Sequence, residues 1–136
     1  MLEKFGLSQP VRRAEDPRLL TGRGAYVDDT APEGALHAYV LRSPVAHAGL
    51  ASLDVSAAEA MPGVAAVLTA EVLAAQGVES HLPTAVAKNR DGSRAADPRR
   101  PLLADDRVRF VGEAVAMVVA DTLDHARDAA EAIAVE

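Results

Sequence analysis

The chain has 136 residues, a length that suits one domain with a single hydrophobic core. It has a formal net charge of -6 and no cysteine, which excludes disulfides, thiolate zinc sites and iron–sulfur clusters held by this chain. The densest basic run is only Arg99-Arg100, so binding to nucleic-acid phosphates is not expected. The sequence shows neither a secretory signal nor an apolar stretch of membrane-spanning length, and we therefore expect a cytoplasmic protein without a membrane partner.

The N-terminal residues 1–24 are predicted to form an extended arm. Pro10 and Pro17 each push the preceding residue out of helical geometry. Gly22-Arg23-Gly24 then predicts a turn, and Ala25-Tyr26-Val27 a short strand. The sequence thus divides into an arm over 1–24 and a single domain over 25–136.

The first half of this domain alternates short strands with short helices. Ser56 and Glu59 have the spacing of a capping box, and Pro62-Gly63 stops the helix that follows within two turns. Thr69 is placed to cap another helical turn. The predicted elements are strands over 36–41 and 49–55, a helix from 56, a strand over 64–68 and a helical turn over 70–75.

A long irregular loop is predicted over residues 78–101. It is rich in proline and charged residues and shows no apolar period. Loops of this length inside a compact domain are usually functional or mobile. We expect weak order over about 86–98 unless a partner covers the segment.

Order is predicted to return after this loop, with strands over 108–111 and 114–120. The second is apolar throughout, which is typical of a central strand covered on both faces. Ala114, Ala116, Val118 and Ala120 form its smaller face, which would let a helix approach closely. The next elements are a helix capped by Asp121 or Thr122, with its apolar stripe from Leu123 to Ile133, and a strand that begins at Ala134. We expect that the chain is cut within this last strand. This order predicts an α+β (mixed α/β) domain with a short mixed sheet and two or three short helices.

No catalytic, cofactor-binding or metal-binding residue can be assigned from the pattern. The four histidines, His37, His47, His81 and His125, lack metal-ligand spacing. We expect His125 to be solvated, and His37 and His47 to form hydrogen bonds within the fold.

The remaining polar motifs also favour structural roles. Asp28-Asp29 and Asp105-Asp106 are adjacent carboxylates that would point apart, as turn residues do. Gly22-Arg23-Gly24 lacks the third glycine and the helix of a dinucleotide fingerprint. Glu113 has no visible catalytic partner and is read as part of a turn that enters the central strand.

Several stretches together resemble one family, the large subunits of molybdenum hydroxylases, which include aldehyde oxidase, xanthine dehydrogenase and CO dehydrogenase. Each stretch alone is weak, but their order and spacing along nearly the whole chain are specific. The proline that commonly follows the Gly-Glu pair in the family is Ala114 here, a substitution that we read as tolerated. The stretches are 13–29, 36–38, 41–48, 62–64, 107–113 and 118–122.

The resemblance implies an α/β-hammerhead fold at the N-terminus of a large subunit several times longer. It implies that a molybdopterin-type molybdenum cofactor and the catalytic glutamate lie downstream of this region. Iron–sulfur clusters and flavin would belong to other subunits or domains. No residue of this chain therefore inherits a catalytic or cofactor-binding role.

Two functions remain open on the sequence. The first is a structural and assembly domain of a molybdenum-dependent oxidoreductase, whose partners are the rest of the molybdenum subunit and the iron–sulfur and flavin subunits. In that case the arm, over residues 8–24, and the loop over 78–101 would lie on the neighbouring parts. The alternative is a free-standing binding module that keeps the fold without the enzyme.

Overall fold

The computed structural model describes residues 12–79, 87–96, 98 and 100–136. The chain divides into two compact units, residues 1–35 and residues 36–136. This boundary falls after the one expected from the sequence, because the turn and short elements up to residue 35 group with the N-terminal segment.

In the first unit, helix α1 covers Asp16–Leu20. Within the predicted arm these residues are helical rather than extended, whereas residues 1–11 lie outside the described part. Pro17 lies in the first turn of this helix, a position that suits proline because its φ is already fixed. Asp16 before it is helical, so the expectation that Pro17 pushes the preceding residue out of helical geometry is wrong. A 3₁₀ turn at Val27–Asp29 replaces the strand predicted at 25–27, and Asp29 Oδ2 accepts a hydrogen bond from the Tyr26 N–H at 2.9 Å.

The second unit is built on a three-stranded sheet. Its strands are β1 (His37–Arg42), β4 (Val64–Leu68) and β6 (Ala114–Ala120), with β6 in the centre. Both pairs are antiparallel, and Val118 at the middle of β6 faces Tyr39 on one side and Val67 on the other. β6 therefore has a hydrogen-bonded strand on each side, as expected of a central strand.

Two short ladders complete the strands, β2 (Ala48–Gly49) with β5 (Arg107–Val108) and β3 (Leu53–Asp54) with β7 (Ala134–Val135). The single strand predicted over 49–55 is wrong, because the chain changes partner inside it. The Leu50 N–H donates to the Asp106 carbonyl at 3.0 Å, and the Ala51 N–H donates to the Glu136 carbonyl at 2.7 Å. All named strand pairs in the described residues are antiparallel, where the sequence predicted a mixed sheet.

The second unit also contains three α-helices in its described residues: α2 (Ser56–Glu59), α3 (Ala70–Ala75) and α4 (Leu123–Glu131). The predicted caps at Thr69 and Thr122 are confirmed, since their hydroxyls accept from the N–H groups of Val72 and His125 at 3.3 and 3.1 Å. With α1, the described residues hold four α-helices rather than two or three.

The predicted capping box at Ser56 is wrong. Val55 occupies the N-cap position, and the Ser56 side chain accepts no cap hydrogen bond. Asp54 Oδ1 instead accepts from the Ser56 N–H at 2.9 Å. The hydrogen bonds with the side chain and backbone of Ser56 hold the pKa of the Asp54 carboxyl below its usual value. The earlier acidic residue thus supplies the cap that the sequence assigned to the hydroxyl.

The main core lies between the small face of β6 and helix α4. As predicted, alanines on both elements let the helix approach the sheet closely, and Val118 between them is fully buried. On the opposite face of β6 only Val115 is buried, and Met117 and Val119 remain partly exposed, so coverage of both faces is incomplete. The buried cluster consists of Ala58, Val67, Ala116, Val118, Ala120, Ala126, Ala129, Ala130 and Ile133.

The described part of the long loop forms a tight turn. Lys88 and Arg94 pair as an antiparallel bridge, and Asp91 Oδ1 accepts from the Ser93 N–H at 2.9 Å and from its hydroxyl at 2.6 Å. Residues 80–86, 97 and 99 lie outside the described part, and the weak order expected over 86–98 stays a prediction.

Candidate interaction site at the turn between Arg109 and Glu113

The described histidines, His37, His47 and His125, take part in no metal-binding group. His37 and His47 are exposed, and among the described residues no side-chain hydrogen bond is seen for either imidazole, so the structure does not support the prediction that they bond within the fold. His125 is partly solvated as expected, but its Nδ1 lies 2.6 Å from Asp121 Oδ1. This hydrogen bond, together with the charge of Asp121, raises the pKa of His125. His81 lies outside the described residues.

The adjacent carboxylates Asp105 and Asp106 form ion pairs and turn contacts rather than an acid–base pair. Asp106 lies 3.1 Å from Arg107 Nε and 2.9 Å from Arg109 Nη2. Desolvation raises the pKa of Asp106, but the hydrogen bond from Arg107 and the charges of Arg107 and Arg109 hold it below its usual value overall. In the part of the chain that the structure describes, no three His, Asp or Glu side chains converge as metal ligands.

Glu113 is the one acidic residue among the buried polar side chains of the described residues, with 5% of its surface exposed. One carboxylate oxygen accepts the backbone N–H of Arg109, and the other lies 3.4 Å from the Arg109 guanidinium. The same guanidinium reaches Asp106 and the Arg107 carbonyl. The Glu113 carboxylate therefore has a structural role in fixing the backbone at Arg109. Removing either partner would leave the other as an unpaired polar group, which destabilises the fold.

The chain between Arg109 and Glu113 therefore turns back instead of continuing the strand predicted over 108–111. Gly112 adopts a left-handed conformation, with φ of 88°, which glycine accepts without a Cβ penalty. The Gly112 N–H donates to the Ser43 carbonyl at 2.8 Å, and the Ser43 N–H donates to the Glu113 carbonyl at 2.9 Å. Arg42 Nη1 donates to the Gly112 carbonyl at 2.8 Å. These bonds fix the turn to the end of β1.

The fixed turn presents apolar side chains to solvent. Phe110 is 58% exposed and Val111 64% exposed. A groove of about 410 Å³ lies beside Phe110. It is lined by Arg42, Pro98, Arg100, Pro101, Leu102, Arg109, Phe110, Glu113 and Ala114.

Sequence reasoning placed Glu113 in a turn entering the central strand, and the structure confirms that position. It missed the function of the side chain as the acceptor that organises Arg109. The four-residue spacing of the two charges and the intervening Gly112 were visible, but without the fold they could not be told from a solvated ion pair. The arrangement can present a rigid surface, and it offers no nucleophile beside a base.

Comparison with known proteins identifies the family to which a domain with this fold and this site belongs. A family profile described as the a/b hammerhead domain of aldehyde oxidase and xanthine dehydrogenase matches residues 21–136. The chain belongs to this family, which confirms the α/β-hammerhead fold expected from the resemblance.

Known relatives are large subunits of molybdenum hydroxylases. Over 132 residues the chain is 42% identical to the nicotine 6-hydroxylase large subunit of Paenarthrobacter nicotinovorans, a match that covers 96% of this chain and 15% of the relative. It is similar to the structure of quinoline 2-oxidoreductase from Pseudomonas putida 86, with a TM-score of 0.82 and 43% identity, over 93% of this chain and 15% of that one. It is also similar to the Cu,Mo-CO dehydrogenase in its carbon monoxide reduced state, with a TM-score of 0.77 and 38% identity, over 93% of this chain and 14% of that one. The chain thus spans about 15% of the length of such relatives.

Proposed function

We propose that the chain is the N-terminal structural and assembly domain of a molybdenum-dependent hydroxylase or dehydrogenase large subunit and has no catalytic site of its own. The observation that carries this proposal is the asymmetry of coverage. Nearly all of this chain matches the nicotine 6-hydroxylase large subunit, yet it accounts for only 15% of that subunit. The remaining length of such an enzyme would hold the reaction centre.

The polar side chains of this chain support the proposal that it holds no part of the reaction centre. The molybdenum cofactor that the family implies would need ligands or unpaired donors aimed into a cavity. In the described residues no metal-binding cluster is found, and no buried side-chain nitrogen or oxygen lacks a hydrogen-bond partner. These residues do not fit a cofactor cradle, so no reaction step is assigned to them. In the complete enzyme the bound cofactor supplies the redox chemistry.

The proposed partners follow from the same assignment. The main partner is the rest of the molybdenum subunit, and the further partners are iron–sulfur and flavin subunits. One relative, from Paenarthrobacter nicotinovorans and 38% identical, is named as subunit gamma of the 6-hydroxypseudooxynicotine dehydrogenase complex, which supports a multi-subunit context. Within the described residues no helix is long and apolar enough to cross a bilayer. The cytoplasmic location stays a prediction.

Reconstitution from two pieces tests the proposal. The chain is co-expressed with the quinoline 2-oxidoreductase large subunit from which the matching segment has been deleted, together with the other subunits of that enzyme. We expect neither piece alone to oxidise quinoline, and we expect the two together to co-purify with molybdenum and to restore oxidation. The matched control omits this chain and supplies an unrelated domain of similar size.

Two results would count against the proposal. Stoichiometric molybdenum or turnover in this chain alone would show that it holds a site. Failure to associate with the deleted subunit, while the native segment supplied in the same way does associate, would favour the free-standing binding module.

A further inference from the structure

The turn at Arg109–Glu113 is a rigid support for an exposed aromatic residue. Four hydrogen bonds hold the backbone on either side of Phe110: two are exchanged with the Ser43 backbone, one comes from the Arg42 side chain and one goes to the Glu113 carboxylate. A turn held in this way loses little conformational entropy when its exposed side chain is buried by a partner. Aromatic residues, phenylalanine among them, are enriched at the cores of protein–protein interfaces.

The neighbours of Phe110 extend this apolar contact. Leu102 is 37% exposed, and Pro98 and Pro101 line the same groove. Prolines add apolar area with no further loss of backbone freedom, because their φ is already fixed. Phe110 with Pro98, Pro101 and Leu102 forms a continuous apolar patch, which we term the Phe110 patch.

The charge around the Phe110 patch is opposite in sign to that of the whole chain. Arg42 and Arg100 line the groove and are exposed, and the described residues offer neither of them a carboxylate. Arg109 is neutralised by Glu113 and Asp106. Two arginines that have no carboxylate partner among the described residues thus flank the patch in a chain of net charge -6. A partner with carboxylates beside an apolar residue would complement both features.

From these features we infer that the Phe110 patch docks the remainder of the large subunit through a segment that carries an apolar side chain next to Asp or Glu. This inference rests on the proposed function and adds the surface that would make the contact. The length of the relatives supports this occupant, because about 85% of such a subunit lies outside the part that this chain matches, following from the 15% covered. Nucleic acid fits poorly, since two exposed arginines compare with the roughly 6–10 phosphate contacts of a typical binding face.

The test measures affinity between the chain and the quinoline 2-oxidoreductase large subunit that lacks the matching segment. Phe110→Ala removes the anchor and is expected to weaken binding about tenfold or more. Arg100→Glu reverses one exposed charge and is expected to weaken binding about three- to tenfold, with the larger loss at low salt. Neither side chain is buried, so both variants should retain the thermal midpoint of the parent.

Matched controls exist in the chain. Val45→Ala shortens an exposed apolar residue on a different bend, and Arg90→Glu reverses an exposed charge in the turn closed by Lys88 and Arg94. Both controls should bind as the parent does. If the deleted subunit proves insoluble, the same four variants are built into a single chimera in which this chain replaces the matching segment. Its assembled yield and thermal midpoint then replace the affinity, and only the first two variants should lower them.

The outcomes separate the two proposals. Parent-like binding or assembly of Phe110→Ala, with a parent that does bind, would overturn the docking surface and leave the proposed function standing. Failure of the parent chain to bind or to assemble in the chimera would overturn both. Self-association of the parent that Phe110→Ala abolishes, with no change in binding to the deleted subunit, would make the patch a contact between copies and would also overturn the inference.

Discussion

Each end of the central strand β6 has a glycine of positive φ next to a pair of oppositely charged side chains, but the surroundings of the two glycines differ. At one end Gly63 lies beside Asp121 and His125, and at the other Gly112 lies beside Glu113 and Arg109. Both glycines have positive φ, 81° and 88° respectively, and each is joined to an acidic residue that pairs with a base four positions away.

The difference lies in the space around each glycine. A Cβ on Gly63 would clash with both Asp121 Oδ1 and His125 Nδ1, whereas a Cβ on Gly112 would meet no atom within 4 Å. The carboxylate is half exposed at the Gly63 end and buried at the Gly112 end. The Gly63 end therefore has no space for a side chain at the glycine, whereas the Gly112 end is an open turn that is built on a buried carboxylate.

The largest effect is expected from Gly63→Ala. The substitution forces an L residue into the left-handed region and displaces both side chains that pair beside it. We expect a loss of about 2–3 kcal/mol in the free energy of unfolding. Urea denaturation followed by circular dichroism measures it, and a loss no greater than that of Gly112→Ala would remove the contrast between the two ends.

Glu113→Ala is expected to come next, with a loss of about 2 kcal/mol, because it leaves the backbone N–H of Arg109 without its acceptor in a partly buried site. Glu113→Gln keeps an acceptor oxygen and should recover part of this loss. The two variants are compared with the parent by the same denaturation experiment. Equal stability of Glu113→Ala and the parent would mean that the buried carboxylate does not hold the turn.

Gly112→Ala should cost only the backbone strain, about 1 kcal/mol, since open space surrounds the added methyl group. Its thermal midpoint should therefore fall between those of the parent and Gly63→Ala. A midpoint below that of Gly63→Ala would show that the Gly112 end is more constrained than its geometry indicates.

The smallest effect is a pH dependence at the Gly63 end. The pKa of His125 is raised above its ordinary 6.5 by Asp121, so its contribution is complete below 6.5 and is lost as the pH rises through the folded value. The pKa of Asp121 is lowered below its ordinary 3.8 by its hydrogen bond with His125, so its contribution is present above 3.8 and is lost as the pH falls through the folded value.

The difference in thermal midpoint between the parent and His125→Gln should therefore be greatest between about pH 4 and 6.5 and should shrink at higher pH. Thermal melts from pH 4 to 9 follow it. Both groups are exposed, so the effect should also shrink at high salt. A difference that grows above pH 7 would contradict the assigned pairing.

The sequence predicted β6, helix α4 and the helix caps well, because the patterns that indicate them are local in sequence. The small residues of β6, the caps at Thr69 and Thr122 and the apolar stripe of α4 follow from periodicity and short-range hydrogen bonding. The strand at 134–135 was found for the same reason.

The turn at Gly112 and the break in the strand predicted over 49–55 were predicted less well, because the residues that form their hydrogen bonds are distant in sequence. The Ser43 carbonyl binds the Gly112 N–H across 69 positions, and this contact turns the chain away from the strand predicted at 108–111. Similarly, the Ala51 N–H donates to the Glu136 carbonyl, and the strand predicted over 49–55 is interrupted there. No local pattern contains these pairings, so neither the turn nor the exposed Phe110 could be recognised beforehand.

Hydrogen exchange on this chain, free and bound to the quinoline 2-oxidoreductase large subunit lacking the matching segment, tests the central claim most directly. We predict that binding increases protection of the amides of Arg100, Leu102, Phe110 and Val111, and leaves those around Gly63 and residues 121–125 unchanged. Increased protection confined to the Gly63 end, or no change at Phe110 in a complex that does form, would contradict an assembly domain that docks through its open turn.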